Sequence, residues 1–335
     1  MAGWAREDNM RMLNRGALIV ALCLPGMAAL VVPAAAEDLL VTQYKADPSG
    51  AAYGVALAKG FFAKAGVNIT GIISGDGGGA SVRSAMASEL GYGDVSPAPA
   101  IAAIDQGQDI KIVNITSRSL ADLVVIVMPN SPLKTAKDLK GKKFGISNPK
   151  SLGEMMAVLV MEKAGLQASD LERVALGSLS GDLTALENGV VDATAMPVVL
   201  FRMRGGTSKY RVLVGPADLP DIPAQLGIAT GTLMKQHPDK LRAIEQARRE
   251  GAKFIYEHTD EAIGILSKVY QPLPPAEVAS MVKELVAAKF WSEGRIEKPL
   301  LESTIRGMKY VGMVNKDIDI AKLVDTSFLP ADLQK

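Results

Sequence analysis

The feature that most constrains the fold is an alternation of short apolar runs with segments of helical periodicity, and it occurs twice along the chain. The predicted strands of the first series lie at residues 39–44, 67–73, 91–95 and 110–115, and those of the second at 143–146, 173–176, 193–196 and 211–214. The helical segments between them lie at 47–65, 80–89, 98–106, 153–164 and 182–188. Repeated strand–helix–strand units bury their strands in a mostly parallel sheet with helices on both faces. The chain is therefore predicted to be an α/β protein.

Two further apolar extended segments, near residues 120–128 and 226–232, connect the second series to the rest of the chain. Because a single hydrophobic core stops growing at about 250 to 300 residues, a chain of 335 residues favours two lobes. We expect a first lobe of residues 37–121 and 227–335, a second lobe of residues 122–226, and two crossovers that act as hinges between them.

The N-terminal segment has the order of a secretory signal peptide. Three arginines, at positions 6, 11 and 15, precede an interrupted apolar stretch at 17–32, and small residues at 33–36 follow it. A membrane anchor needs about 20 apolar residues without such interruptions. We therefore expect a signal peptide of residues 1–36, cleaved after Ala36, and a periplasmic location for the mature chain.

Cys23 is the single cysteine of the sequence and lies within this segment. Leu22, which precedes it, is not the small residue that a lipidation site requires, so we do not expect a lipoprotein. The mature chain would contain no disulfide, and a chain with a large core does not need one. Met10 and Met12 are alternative translation starts.

Composition excludes several classes of function. The 37 basic residues are balanced by 36 acidic ones, so the chain has no overall field that would attract nucleic acid. The two histidines, His237 and His258, lie next to predicted helix ends, and no zinc, dithiol, nucleophile-elbow or P-loop motif occurs. We expect no catalytic residue, no metal and no cofactor, and hence no enzymatic activity.

A glycine-rich stretch, ISGDGGGAS at residues 73–81, raises one alternative. It matches the G-x-G-x-x-A fingerprint of dinucleotide-binding folds, and Asp94 follows Gly75 at about the spacing of a ribose-binding acid. In such a fold, however, the fingerprint follows the first strand, whereas here it follows the second predicted strand. Asp94 also lies in a short strand that runs directly into another polar loop. We therefore interpret the stretch as a helix start that offers backbone amides to a small solute.

Polar, Gly- or Pro-containing loops occur where the predicted strands run into helices. They lie at residues 44–49, 74–81, 96–99, 116–119 and 147–153. In an open parallel sheet the ligand lies beyond the carboxyl ends of the strands, where such loops converge. Free amides at helix N-termini favour a carboxylate, sulfonate or phosphate group.

Three segments, at residues 58–67, 131–146 and 185–193, carry a family resemblance. They are AKGFFAKAGV, SPLKTAKDLKGKKFGI and ALENGVVDA, and they resemble the substrate-binding proteins of ABC importers in the nitrate, taurine and aliphatic sulfonate (SsuA/THI5-like) group. The resemblance extends over about residues 38–320. It implies a type II periplasmic-binding-protein fold, in which two α/β lobes close on a solute and deliver it to an ABC permease in the inner membrane. It also implies a monomer.

The loop positions of that family suggest a set of ligand-binding residues in this sequence. They are Tyr44, Gly77, Gly78, Ser81, Ser96, Pro97, Arg118 and Ser151. Arg118 is the first candidate for a charged clamp, because a guanidinium can hold a planar anion with two hydrogen bonds; Lys45 and Lys150 are alternatives. The remaining loops are mainly neutral, which favours a monoanion or a polar neutral solute over a dianion.

The resemblance implies the capture of a small anion of the sulfonate, nitrate or carboxylate type. Two alternatives remain open. One is an enzyme on the same fold, of the thiamine-pyrimidine synthase type, although the histidine and cysteine-rich motif of those enzymes are not found here. The other is a protein that presents its ligand to a membrane receptor.

Overall fold

The computed structural model describes residues 36–334; the predicted signal peptide up to residue 35, with Cys23, lies outside the described residues. In this part of the chain, ten strands form two sheets of five. In chain order they are β1 (Glu37–Thr42), β2 (Ile69–Gly75), β3 (Tyr92–Val95), β4 (Ile110–Ile115), β5 (Leu123–Val127), β6 (Lys143–Ile146), β7 (Glu172–Ala175), β8 (Ala193–Pro197), β9 (Arg211–Val214) and β10 (Leu226–Thr230). The eight strands predicted in the two series are present, with ends that coincide or differ by at most two residues.

The order of the strands explains why the two series belong to two sheets. The first sheet runs β2-β1-β3-β10-β4 and the second runs β7-β6-β8-β5-β9. The strands that begin after a crossover, β5 and β10, are antiparallel to their neighbours, and the other pairings are parallel. Both sheets are therefore mixed. We call the elements around the first sheet the first lobe, those around the second sheet the second lobe, and residues 116–122 and 215–225 the two crossovers.

Helices cover both sheets. In chain order the α-helices of the described part are α1 (Ala51–Ala58), α2 (Phe61–Lys64), α3 (Gly78–Ala87), α4 (Pro97–Asp105), α5 (Leu152–Lys163), α6 (Leu179–Glu187), α7 (Val198–Met203), α8 (Gly231–Gln236), α9 (Pro238–Glu257), α10 (Thr259–Val269), α11 (Pro275–Ala287), α12 (Lys298–Tyr310) and α13 (Ile320–Leu323). The helix predicted for residues 47–65 is divided at Gly60, whose φ of 68° lies in the left-handed region. Helix α7 was not predicted, because its apolar residues continue the buried run of β8 and show no polar face.

A buried polar network fixes α9 to the first sheet. Glu245 and Arg248 of α9 are both fully buried and form an ion pair. Asn114 of β4 donates to both oxygens of Glu245, at 2.8 and 3.0 Å, and the Tyr92 hydroxyl donates to Oε1 at 2.9 Å. Because each buried charge has partners, the network offsets the cost of removing these groups from water.

The C-terminal helices do not belong to one lobe alone. Helices α9 and α10 pack on α1, whereas α12 contacts both α4 of the first lobe and α5 of the second. The predicted lobe boundaries therefore stay a prediction. Within the described residues no helix is both long enough and apolar enough to cross a membrane.

Candidate ligand-binding site

A cavity of about 1290 Å³ lies between the two lobes. Its wall is formed at the carboxyl ends of strands from both sheets, which is where ligands bind in open α/β sheets. The first lobe contributes residues after β1, β2 and β3, and the second lobe contributes residues after β6, β7 and β8. The cavity is large enough for an organic solute of several rings.

Four helices begin at the cavity wall, namely α3, α4, α5 and α6. The amides of the first helical turn have no acceptor within the helix, and the helix dipole adds positive potential there. Side chains satisfy some of them: Ser151 Oγ accepts from the amide of Glu154 at 3.2 Å, and Ser178 Oγ accepts from that of Gly181 at 3.0 Å. The start of α3 lacks a side-chain cap. Its first amides are therefore free to bind a ligand.

The glycine-rich loop before α3 has a shape that depends on its glycines. Gly77 and Gly78 have φ values of 97° and 56°, which residues other than glycine rarely adopt. The amide of Gly77 donates to Ser81 Oγ at 2.9 Å, and a Cβ on Gly75 would lie 2.5 Å from that same oxygen. The buried Ser81 thus supports the loop from within, while a Cβ on Gly78 would meet nothing within 4 Å.

Three buried polar side chains, Asp47, Asp122 and Gln225, form what we call the polar floor of the cavity. Asp47 Oδ1 accepts from the Ser49 amide at 2.7 Å, and Asp47 Oδ2 accepts from Gln225 Nε2 at 3.2 Å. The charge of Asp47 acts on Asp122, whose pKa it raises. Within the described residues, Asp122 Oδ1 and Gln225 Oε1 have no hydrogen-bond partner.

Burial decides the protonation of the floor. Removal from water raises the pKa of both Asp47 and Asp122, and the charge of Asp47 raises the pKa of Asp122 further. The pair therefore holds a proton at a pH at which exposed aspartates have lost theirs.

A third buried carboxyl belongs to the second lobe. Asp182, in the first turns of α6, lines the cavity and is 1% exposed. Its Oδ1 has no hydrogen-bond partner within residues 36–334. Burial raises the pKa of Asp182 to about 7. The basic side chains of the described lining, Arg83 and Lys150, are by contrast exposed.

The structure brings four of the eight predicted site residues together at the cavity wall: Gly77, Gly78, Ser96 and Ser151. Lys150, the alternative clamp, also lines the cavity, whereas Lys45 is exposed and does not. Ser96 is the residue before α4, and its side chain makes no capping hydrogen bond. These residues come from three different strand–helix junctions, as the loop argument predicts.

The other four residues do not line the cavity. Ser81 lies behind the glycine loop, and Pro97 is the buried first residue of α4. The Tyr44 ring packs on α1, where a Cβ on Gly54 would meet its hydroxyl, and burial raises the pKa of Tyr44 to about 12. Arg118 is held at Glu297 by two hydrogen bonds, Nε to Oε1 at 2.5 Å and Nη2 to Oε2 at 2.8 Å. Its guanidinium is therefore occupied by a carboxylate of the protein.

Sequence reasoning missed the floor residues Asp122 and Gln225 and the segment from Gly177 to Asp182. The last of these had a usable signal, because it is another junction between a predicted strand and a predicted helix. Asp122 also had one, since a lone acid directly precedes the continuous apolar run of β5. Gln225 directly precedes β10 and follows the buried residues Ile222, Pro223 and Ala224, so it had no such signal.

Asp94 does not have the position that a ribose-binding acid needs. It is fully buried in β3, accepts a hydrogen bond from Thr116 Oγ1 at 2.5 Å, and is not part of the cavity wall. Burial raises the pKa of Asp94 to about 8. The glycine-rich stretch is therefore not accompanied by the acid of a dinucleotide site.

The two mixed sheets, the paired crossovers and the cavity between the lobes define a type II periplasmic-binding-protein fold. The chain belongs to the NMT1/THI5-like family, whose model matches residues 47–262. Both the predicted fold and the predicted family are thus confirmed.

Comparison with individual proteins gives the same fold with different ligands. Riboflavin-binding protein RibY of Chloroflexus aurantiacus is 24% identical over 96% of this chain and 98% of its own. The periplasmic aliphatic sulphonate binding protein SsuA from Escherichia coli is 19% identical, with a TM-score of 0.70 over 86% of this chain and 97% of SsuA. The desulfurization enzyme DSZB is 14% identical, with a TM-score of 0.59 over 87% of this chain and 97% of its own. The fold alone therefore does not identify a ligand.

Proposed function

We propose that this protein is the solute-binding component of an ABC importer, which captures a small organic solute in the cavity between its lobes and delivers it to a membrane permease. The observation that carries the proposal is the cavity itself, to which both lobes contribute helix N-termini. At its base, two buried oxygens, Asp122 Oδ1 and Gln225 Oε1, have no hydrogen-bond partner among the described residues. Membership of the NMT1/THI5-like family supports it.

The groups that line the cavity indicate where an anionic part of the ligand would bind. A sulfonate or carboxylate would bind at the free amides of α3, close to the exposed Arg83 and Lys150. An anion would be disfavoured at the polar floor, which contains two buried carboxyl groups, Asp47 and Asp122, and no buried base. We therefore propose that any anionic group of the ligand lies at the glycine-rich loop, and that the part of the ligand at the polar floor carries no negative charge.

Riboflavin is a second candidate ligand, favoured by the relative RibY. The cavity is large enough for a three-ring system, and the polar floor could bind its ring edge. Isothermal titration and thermal-shift measurements with ethanesulfonate, taurine, nitrate and riboflavin would test both candidates. One compound should bind with a dissociation constant in the micromolar range or below, about 8 kcal/mol; failure of all of them to bind would contradict the ligand classes proposed.

We propose binding without catalysis, and DSZB is the reason to test it, because the same fold occurs in that enzyme. Within the described residues, no cluster of three or more His, Cys, Asp or Glu side chains could hold a metal ion. Incubation of the protein with its ligand, followed by mass spectrometry, should return the ligand unchanged. Turnover of any ligand would favour the enzyme alternative.

Export and delivery to a permease complete the proposal. Fractionation of the native host should place the protein in the periplasm with a mature N-terminus at Glu37. Uptake of labelled ligand by permease-containing vesicles should require the loaded protein. Retention of the protein in the cytoplasm, or uptake that is equal without it, would contradict this role.

A further inference from the structure

We infer that Asp122 and Gln225 form a specificity subsite that binds a planar nitrogen-containing group of the ligand through its N–H donors. The inference rests on the proposed function and adds the chemical group that the base of the cavity recognises. Both side chains line the cavity, and they are 1% and 2% exposed.

The subsite contains two side-chain oxygens that lack a partner among the described residues. Asp122 Oδ1 and Gln225 Oε1 have no hydrogen-bond partner within residues 36–334, although both are buried. A buried acceptor that stays unpaired costs about 1–3 kcal/mol, so such atoms are normally satisfied. Both residues line the cavity wall, and a ligand that uses these two oxygens as acceptors must bring donors.

Hydrogen bonds within the protein fix the orientation of Gln225. The Gln225 side-chain amide donates its Nε2 to Asp47 Oδ2 at 3.2 Å, which leaves Oε1 as the free end. The Gln225 backbone is held as well, since its amide donates to Ser117 Oγ at 2.9 Å and its carbonyl accepts from the amide of Thr116 at 3.1 Å. A preorganised acceptor binds a donor with a smaller entropic cost than a mobile one.

The charged groups of the cavity favour a donor over an anion at the floor. The free amides of α3 and the exposed bases can bind an anionic group elsewhere in the cavity, but the floor contains acids. A sulfonate or nitrate at the floor would bring acceptors to acceptors and a negative charge to carboxyl groups. An amide, urea, amino-heterocycle or amidine brings N–H donors in one plane, which is the complement of the two acceptors.

The two residues of the subsite lie at the ends of the two crossovers between the lobes. Asp122 directly precedes β5 at the end of one crossover, and its backbone carbonyl accepts from the amide of Val198 at 2.7 Å. Gln225 directly precedes β10 at the end of the other. A ligand that binds both acceptors thus contacts both connections between the lobes. Recognition of its N–H group and the relative position of the lobes are then linked.

The first experiment compares ligands on the unaltered protein. Pairs of probes differ only in the donor: riboflavin against 3-methylriboflavin, and cytosine against N4,N4-dimethylcytosine. Benzamidine tests whether the donors belong to a cation, and ethanesulfonate tests an anion without N–H groups. We expect at least one unmethylated probe or benzamidine to bind, and methylation of a binding probe to lower its affinity about tenfold or more.

The second experiment changes the protein. Gln225→Met and Asp122→Leu remove one acceptor each, and Gln246→Met and Asp239→Leu make the same changes on exposed parts of α9 as controls. We expect each floor variant to lower the affinity for the N–H probe about tenfold, and the controls to leave it unchanged. Circular dichroism checks the fold of each variant, and the probe pairs keep the test independent of any variant that does not fold.

The outcomes separate this inference from the proposed function. Tight binding of ethanesulfonate, with no binding of the N–H probes or no effect of methylation, would overturn the subsite and leave solute binding intact. Equal affinities in the floor variants and the controls would overturn it too. Failure of every probe to bind, combined with uptake that does not need the protein, would overturn the proposed function itself.

Discussion

At the scale of single residues, the chemistry of the cavity depends on carboxyl groups that are buried rather than on charges that are exposed. Asp182 illustrates this, because it is 1% exposed and Oδ1 has no partner in the described part of the chain. Burial favours the neutral acid and raises its pKa from 3.8 to about 7. Near neutral pH this group is therefore partly protonated.

The raised pKa of Asp182 predicts a loss of stability as the pH increases. Between 3.8 and about 7 the folded state binds more protons at this group than the unfolded state does, so its contribution is complete at low pH and is lost as the pH rises through 7. We expect Asp182→Asn to unfold at a higher urea concentration than the wild type at pH 8. At pH 5 the two proteins should differ less. The difference between their free energies of unfolding should change by about 1 kcal/mol or more between pH 5 and pH 8. A pH-independent difference would show that Asp182 is not the group responsible.

The glycine-rich loop gives a second prediction at this scale. Gly78→Val should weaken ligand binding about tenfold or more, because its Cβ would point into open space at the cavity wall. Gly189→Val is the matched control, since Gly189 also has a positive φ, 69°, and open space around a Cβ, but does not line the cavity. Both variants should lose similar stability, about 1–2 kcal/mol. Equal ligand affinities in a titration calorimeter would mean that the loop does not contact the ligand.

At the scale of elements, the strands and the helices from α1 to α6 follow from the sequence because their periodicity is local. The junction rule also found Gly78 and Ser151, since the carboxyl ends of strands in one sheet point to one edge. It could not find that Arg118 pairs with Glu297, because the two residues are 179 positions apart and only the tertiary fold brings them together. For the same reason, the meeting of Asp122 with Gln225 could not be predicted.

Helix α7 of the second lobe is tied to α11 by one arginine. Arg202 donates to Glu277 at 2.6 Å and to both oxygens of Glu284 at 2.8 Å, and its side chain is 14% exposed. We expect Arg202→Met to lower the free energy of unfolding by about 1 kcal/mol at low salt and by less at 1 M salt, because salt screens the pairs. Arg204→Met, an exposed arginine next to the same helix, should have little effect in the same urea titrations. Similar results for both variants would show that these ion pairs do not stabilise the fold.

At the scale of the whole molecule, α12 connects the two lobes independently of the crossovers. It packs against α4 and α5, and Gly307 lies against Met155 and Leu159 of α5. A Cβ at this position would lie 2.5 Å from Met155 Cγ and 2.9 Å from Leu159 Cδ1. The helix therefore limits how far the lobes can separate or close, and its contact surface depends on one missing methyl group.

We expect a glycine-to-alanine substitution to stabilise the protein at position 264 and to destabilise it at position 307. Gly264→Ala in α10 should stabilise the protein by up to about 1 kcal/mol, because alanine favours helices and a Cβ there meets nothing within 4 Å. Gly307→Ala should instead destabilise it by about 1–3 kcal/mol, since the added methyl overpacks the interface with α5. Because α5 begins at the cavity wall with Ser151, a displaced α12 should also weaken ligand binding, whereas Gly264→Ala should not. Urea denaturation and calorimetric titration of both variants measure the two effects, and stabilisation by Gly307→Ala would mean that α12 is free to move relative to the second lobe.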